Sequence, residues 1–271
     1  MRLEKQLKGE WGIVTGASGG IGYEFCRDLA ARGCNLLMVD IEDELLVRRS
    51  EEIKEEFGVD AVPLTLDLTA MESVGRIMAV METRGIQPYI LINNAGIFTF
   101  SPVVEHPEIK INRFIDLHIR ATTILCREIG EKMKAAGRGR MLNMSSMSCW
   151  MPMPGIAMYS STKAYIRVFS RALHYELKDY GVTVTVACPG GIATDLFGLP
   201  KKLQTLAVNL GVLALPDRFT HKAVNRMLKG RKQYINGVLN RFSIFFIAIL
   251  PTPVRMMVKR RMLDKNIRVG R

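Results

Sequence analysis

The chain has 271 residues, 48% of them apolar and 24% charged, a balance that gives material for a large core and excludes a disordered chain. The net charge of +12 is confined to one end: residues 1–216 hold 24 cationic and 24 acidic side chains, whereas residues 217–271 hold 14 against only Asp217 and Asp264. These cations flank the uncharged run FSIFFIAIL (242–250) instead of interleaving with aromatics over a docking face, which argues against nucleic acid as a partner.

Apolar runs and helix-period segments alternate along the chain. WGIVTG (11–16) reads as a first strand, GIGYEFCRDLAARG (20–33) as a helix closed by Gly33, and NLLMVD (35–40) as a second strand. IEDELLVRRSEEIKEEFG (41–58) is an amphipathic helix, AVPLTLDL (61–68) a third strand, MESVGRIMAVMETRG (71–85) a third helix, and YILINNAG (89–96) a fourth strand. A long helix follows over about 108–136, then the strand RMLNMSS (140–146), a helix through Tyr159, and the strand VTVTVACPG (182–190). In that helix Ala164, Val168, Ala172 and Leu177 are expected to form the core stripe, with Tyr165, Tyr175 and Tyr180 outside it.

Strands that are continuously apolar and separated by helices predict a doubly wound α/β fold with a parallel sheet covered on both faces. One domain of three layers is expected over residues 1–240, including a substrate loop at 195–216, followed by an apolar and basic tail at 241–271. The five cysteines (Cys26, Cys34, Cys126, Cys149, Cys188) have neither C-x-x-C spacing nor neighbouring histidines. They read as reduced packed thiols with no metal site, in a cytoplasmic protein. The opening MRLEKQLKGEW has no apolar core of a secretory signal.

TGASGGIG (15–22) leaves the first strand and opens the first helix. Gly16, Gly20 and Gly22 let the backbone turn tightly, approach a pyrophosphate and pack helix on sheet, while amides at the helix start face the anion. Asp40, at the end of the second strand, is placed to hold ribose hydroxyls. It would repel a 2′-phosphate, and Ala17, Ser18 and Gly19 supply no cation to bind one. NAD is therefore expected, with NADP the alternative; Arg48 and Arg49 are the cations that would favour the latter.

Over residues 11 to about 195 the chain resembles the short-chain dehydrogenase/reductase family. The resemblance rests on Thr15-Gly16-x3-Gly20-x-Gly22, Asp67 closing the third strand, NNAG (93–96), Ser146, Tyr159-x3-Lys163, and PGGIAT (189–194). It implies a Rossmann-like fold and an oxidoreductase that interconverts an alcohol and a ketone, with Tyr159 as general acid or base. Four residues apart on a helix, Lys163 can sit beside Tyr159 and pull the phenol, near 10 when free, toward neutrality. Ser146, by register rather than Ser145, would orient the substrate oxygen.

By the same resemblance, the cofactor contacts are Ser18, Gly19 and Ile21 in the glycine loop, Asp67 and Leu68 near adenine, and Asn94, Ala95 and Gly96 along the crevice. Lys163 would hold the nicotinamide ribose, with Tyr159 beside it, and Pro189, Gly190, Ile192 and Thr194 would close over the carboxamide. A homodimer or homotetramer is also implied.

One position breaks the family pattern. Where an asparagine commonly supports a water chain from the lysine, this chain has His118 in FIDLHIR, and Asn112 lies six residues too early. Imidazole can relay protons near neutrality, so His118 is expected to take the relay; the competing reading is a slow or non-catalytic nucleotide sensor or scaffold. His106, His174 and His221 are expected at the surface or in packing.

The segment DLFGLPKKLQTLAVNLGVLALP (195–216) suggests an apolar, lipid- or steroid-like carbonyl or alcohol substrate, with Trp150, Met151, Met153 and Met158 able to wall the same pocket. Among the family's lineages the chain feels closest to hydroxysteroid and long-chain ketoacyl reductases. The run 242–250 is too short to span a bilayer. It reads either as a foot on an anionic membrane surface, making the protein peripheral to the membrane, or as a buried last strand with a solvated basic end.

Overall fold

The computed structural model describes residues 7–192 and 213–263. Within them lies a seven-stranded sheet of order β3-β2-β1-β4-β5-β6-β7, parallel throughout. The strands are β1 (Trp11–Thr15), β2 (Asn35–Asp40), β3 (Ala61–Thr65), β4 (Pro88–Asn93), β5 (Gly139–Met144), β6 (Val182–Ala187) and β7 (Gln233–Tyr234). Helices α1 (Gly20–Ala30), α2 (Asp43–Phe57), α3 (Ser73–Thr83), α4 (Glu108–Ile115), α5 (Thr122–Ala135) and α6 (Ala157–Leu177) connect them. Beyond β6 come α7 (Pro216–Leu228), α8 (Val238–Ala248) and α9 (Thr252–Val258).

The continuous apolar strands are explained by two core layers. On one face Phe25, Leu29, Leu46, Ile53, Phe219 and Met227 from α1, α2 and α7 pack on the sheet. On the other Ile77, Met81, Leu125, Ile129 and Met133 from α3 and α5 do so. Strand order reverses between β1 and β4, and there the carboxyl ends of neighbouring strands diverge into a crevice, as doubly wound sheets do.

β3 is an outer edge, and Pro63 lies at its middle, opposite Met38. Leu66 donates to the Asp40 carbonyl, so by alternation position 63 points its missing N–H away from the sheet. β7, only two residues long, carries too little sequence for a period and was not expected.

Three other expectations are corrected. The long helix is interrupted by a π-helical segment, Asp116–Ala121, which brings His118 fully inside. The core stripe of α6 is Thr162, Ile166, Ser170 and His174, whereas Val168 is 62% exposed and Ala172 is exposed too; the stripe starts two residues earlier because the helix buries a face that carries polar side chains. Of the two readings of the run 242–250, the buried strand is overturned: residues 242–248 belong to α8, which ends before Pro251. Among the described residues no helix is long and apolar enough to cross a membrane.

A buried polar chain ties the strands to α6. The Asn93 amide donates to Asn143 Oδ1 (2.8 Å), and the Asn143 amide donates to Ser170 Oγ (2.9 Å), which donates in turn to the Ile166 carbonyl (2.6 Å). Truncating the middle member, Asn143→Ala, leaves buried donors and acceptors without partners and is expected to cost about 1–3 kcal/mol. Thermal denaturation measures it; an unchanged Tm would show that the chain does not hold α6 to the sheet.

Candidate active site

The first turn is built from glycine for steric reasons. Gly16 and Gly20 have φ of +66° and +54°, and a Cβ on Gly22 would lie 1.7 Å from the Gly16 carbonyl. β4 is laced to this turn: Asn94 Nδ2 donates to the Thr15 and Gly16 carbonyls (3.1 and 3.2 Å), and the Asn94 and Ala95 amides donate to Thr15 Oγ1 (3.0 and 3.1 Å). The result is an open α1 N-terminus facing a cavity of about 300 Å3.

That cavity gathers most of the predicted residues. Gly16, Gly19, Gly20 and Ile21 form one wall, Asn94, Ala95 and Gly96 another, and Ser146, Tyr159 and Lys163 face Pro189, Gly190 and Ile192. Asp40 sits at the loop's back, accepting the Ser18 amide (2.9 Å) and the Ile41 amide (2.7 Å). Asp67 and Leu68 do not line the cavity. Burial opposes ionisation of Asp67, yet the Thr69 amide and hydroxyl (both 2.8 Å) hold its carboxyl below the usual range. Thr194, with Lys201, Lys202 and nearly all of the substrate loop, lies outside the described residues.

A glycine cradle whose space a Cβ would fill, an unencumbered helix N-terminus and a carboxylate at the end of β2 fit a dinucleotide.

The two neighbouring serines have separate partners. Ser145 is buried and donates to the Lys163 carbonyl (2.7 Å). Ser146 leaves β5 in extended conformation, accepts the Ser148 amide (3.1 Å) and lines the cavity with the Tyr159 phenol.

Tyr159 packs edge-on against Phe98, centroids 5.0 Å apart. Burial pushes its phenol up to about 12, with Ser146 acting in the opposite direction. The expectation that Lys163 draws the phenol toward neutrality is therefore corrected for this state. The ammonium lies over the ring face, 5.7 Å from its centroid, and donates to the Met144 carbonyl (2.9 Å) rather than to the phenol oxygen. Burial lowers Lys163 itself to about 8. No carboxylate pairs with it among the described residues.

His118 lies behind Gly96. Its Nε2 accepts the Ile97 amide (3.0 Å), and Nδ1 meets Thr162 Oγ1 (2.8 Å). Thr162 spends its own proton on the Tyr159 carbonyl (3.0 Å), so the assigned tautomer carries the proton on Nδ1 and leaves Nε2 an acceptor. Burial, then the Lys163 charge, keeps this imidazole well below its usual range, hence neutral. A Cβ on Gly96 would come 3.1 Å from His118 Nε2 and 3.4 Å from Lys163 Nζ, so a bare backbone separates the two groups.

Several contributors had no sequence signal: Met144 and Ile97 act through backbone atoms, and Phe98 belongs to none of the motifs. Thr162, one turn from Tyr159, could have been found by helix spacing. Trp150, Met151, Met153 and Met158 do not line the cavity; the Trp150 ring instead lies under Arg167 (4.4 Å). Of the remaining histidines, His174 is buried against the Val184 carbonyl (2.8 Å) and His221 bonds Asp28 (2.7 Å).

Among known proteins the chain is 30% identical over 266 residues to the very-long-chain 3-oxoacyl-CoA reductase of Macaca fascicularis, covering 96% of this chain and 81% of that one. The enzyme of the same name from Anas platyrhynchos is 29% identical over 266 residues, with the same coverage. A structure from a study of 7beta-hydroxysteroid dehydrogenase stereoselectivity superposes with a TM-score of 0.81 at 26% identity, covering 99% of both chains. L-sorbose reductase from Gluconobacter frateurii, complexed with NADPH and L-sorbose, shares the fold at TM-score 0.77 and 24% identity, over 87% of this chain and 97% of that one. The family model described as short chain dehydrogenase matches residues 10–202, and the chain belongs to that family of nicotinamide-dinucleotide oxidoreductases.

Proposed function

We propose that this protein interconverts a secondary alcohol and a ketone on an apolar, lipid- or steroid-like substrate, using NAD(H). The observation that carries the reading is the convergence of Ser146, Tyr159 and Lys163 on the cavity that the glycine turn opens into. When bound, the dinucleotide supplies or takes up the hydride. The chain's own residues do the rest. Ser146 orients the substrate oxygen. Tyr159 gives a proton to that oxygen in reduction and takes it back in oxidation. Lys163 places positive charge beside the phenol, and Gly16, Gly20 and Gly22 leave room for the phosphates.

Asp40 supports NAD over NADP, since a carboxylate there repels a 2′-phosphate. Arg49 is paired with Glu52 (2.6 Å) and stacked on Tyr23 (4.2 Å), and Arg48 lies 3.8 Å from the same carboxylate, so both cations are engaged along α2. The names of the relatives, 3-oxoacyl-CoA reductase and hydroxysteroid dehydrogenase, support an apolar carbonyl compound. Thiols free of disulfides fit a cytoplasmic setting, and the exposed Val168 and Tyr175 on α6 fit a homodimer or homotetramer.

A panel of hydrophobic ketones, 3-oxoacyl thioesters and hydroxysteroids, followed by NADH absorbance, tests the reading. Wild type is expected to consume NADH with at least one of them and Tyr159→Phe to lose at least about a hundredfold in kcat. Tight NADH binding without turnover of any compound would make the chain a nucleotide-binding module instead.

His118 we assign as a positioning residue that holds the Gly96–Ile97 backbone beside Lys163 and completes the relay's wall. His118→Asn, which retains an acceptor, is expected to keep most activity, whereas His118→Phe loses about tenfold or more in kcat with little change in KM. Equal rates for wild type and His118→Phe would remove the residue from the mechanism.

Lys163 links function to stability. Its folded value of about 8 lies below the ordinary 10.5, so between those values the unfolded chain binds more protons and stability rises with pH. At pH 7 keeping the buried ammonium costs about 3 kcal/mol. Lys163→Met is therefore expected to be inactive yet to melt higher than wild type at pH 7, the difference shrinking as pH rises toward 10.5. A Tm difference independent of pH would refute this account of the lysine.

A further inference from the structure

The chain beyond α7 is fastened to the body of the fold at two points, the first of them at Gly190 in the cavity lining. At its start, Asn240 sits under Gly190, where a Cβ would come within 2.4 Å of the Asn240 amide nitrogen. That amide donates to the Asn236 carbonyl (2.8 Å), and Asn236 Oδ1 accepts the Gly190 amide (2.8 Å). At its far end, the π-helical turn Lys259–Leu263 buries Leu263, which meets Gly155 beside Phe100. Phe98, two residues before Phe100, is the ring packed on Tyr159.

Between these points the surface is apolar and cationic at once. Phe242 and Phe246, one turn apart on α8, are 67% and 66% exposed, and Ile249 just beyond is 62% exposed. Met256 and Met257 add exposed apolar surface on α9. Exposed Arg241, Arg260 and Arg261 border the patch, and residues 218–263 contain no aspartate or glutamate.

We propose that this surface, carried by Arg241, Phe242, Phe246, Ile249, Arg260 and Arg261, docks on an anionic lipid bilayer and sets Phe100 and Gly155, near the Phe98 ring that packs on Tyr159, against the lipid, so that an apolar carbonyl substrate reaches Tyr159 from the membrane. Charge selects this occupant. A second copy meeting the patch across a two-fold axis would oppose like charges, whereas an anionic headgroup layer neutralises the arginines and accepts the phenylalanines below it. α8 has 11 residues, too few to span the core of about 30 Å, so it lies in the interface. The route to Tyr159 rests on the apolar-substrate reading; the docking does not.

The test uses the full chain and co-sedimentation with vesicles of phosphatidylcholine alone or with about one third phosphatidylserine. Wild type is expected to pellet with the serine-containing vesicles and to be released as salt rises. Phe242→Ser/Phe246→Ser and Arg260→Glu/Arg261→Glu are each expected to weaken binding about tenfold or more. Both variants should retain the wild-type rate on a short water-soluble ketone, while the phenylalanine variant raises KM for a ketone dissolved in the vesicles.

Wild type remaining in the supernatant with both vesicle types would overturn the proposal. So would variants that pellet like wild type, a loss of oligomeric state in the phenylalanine variant without a change in vesicle affinity, or tighter binding to duplex DNA than to serine-containing vesicles. Sedimentation needs no turnover, so protein that pellets yet oxidises no NADH with any ketone would retain the docking and overturn the catalytic reading alone.

Discussion

An ammonium that no carboxylate answers among the described residues, buried between the end of β5 and α6, is the constraint on which the site depends. Lys163 is held by the Met144 carbonyl, and its own carbonyl takes the Ser145 hydroxyl, so strand end and helix are joined twice around one residue. That double tie brings the Tyr159 ring beside Ser146. A buried cation of this kind is unfavourable for folding. The Asn93–Asn143–Ser170 chain and the two apolar layers supply compensating stability, and in the function proposed above the lysine serves as preorganised charge beside the phenol.

The same arrangement explains why the phenol is hard to ionise here. Burial acts on Tyr159 and Lys163 in opposite directions, disfavouring charge on either, and the ammonium lies over the ring face while it donates to the Met144 carbonyl. Spacing along α6 correctly places both residues on one side of the helix, but it says nothing about which atom the flexible lysine stem will reach. A carbonyl at the end of a strand was the stronger claimant.

What could be read in advance divides along physical lines. The parallel sheet was legible because each strand is apolar at consecutive positions, and the phosphate turn because only glycine fits where Gly16 and Gly22 face each other. The π-helical interruption was not, since a single widened turn leaves no periodic trace; it nevertheless decides that His118 points inward and replaces the expected asparagine with an acceptor for the Ile97 amide. The register of α6 was misjudged because its buried face carries Thr162, Lys163, Ser170 and His174, residues that a hydrophobic count assigns to water. The tail was ambiguous for the opposite reason: Phe242 to Leu250 is apolar on every side, and a run without contrast cannot choose between strand and helix.

The proline at the middle of β3 has a bearing on how the protein behaves in a crowded solution. A strand arriving from another molecule at that rim would find an amide missing in the centre of a five-residue ladder, so growth of the sheet by strand addition is closed on that side. Fibrillar aggregation through the outer β3 edge is thereby disfavoured by one covalent feature, independent of any charge on the surface.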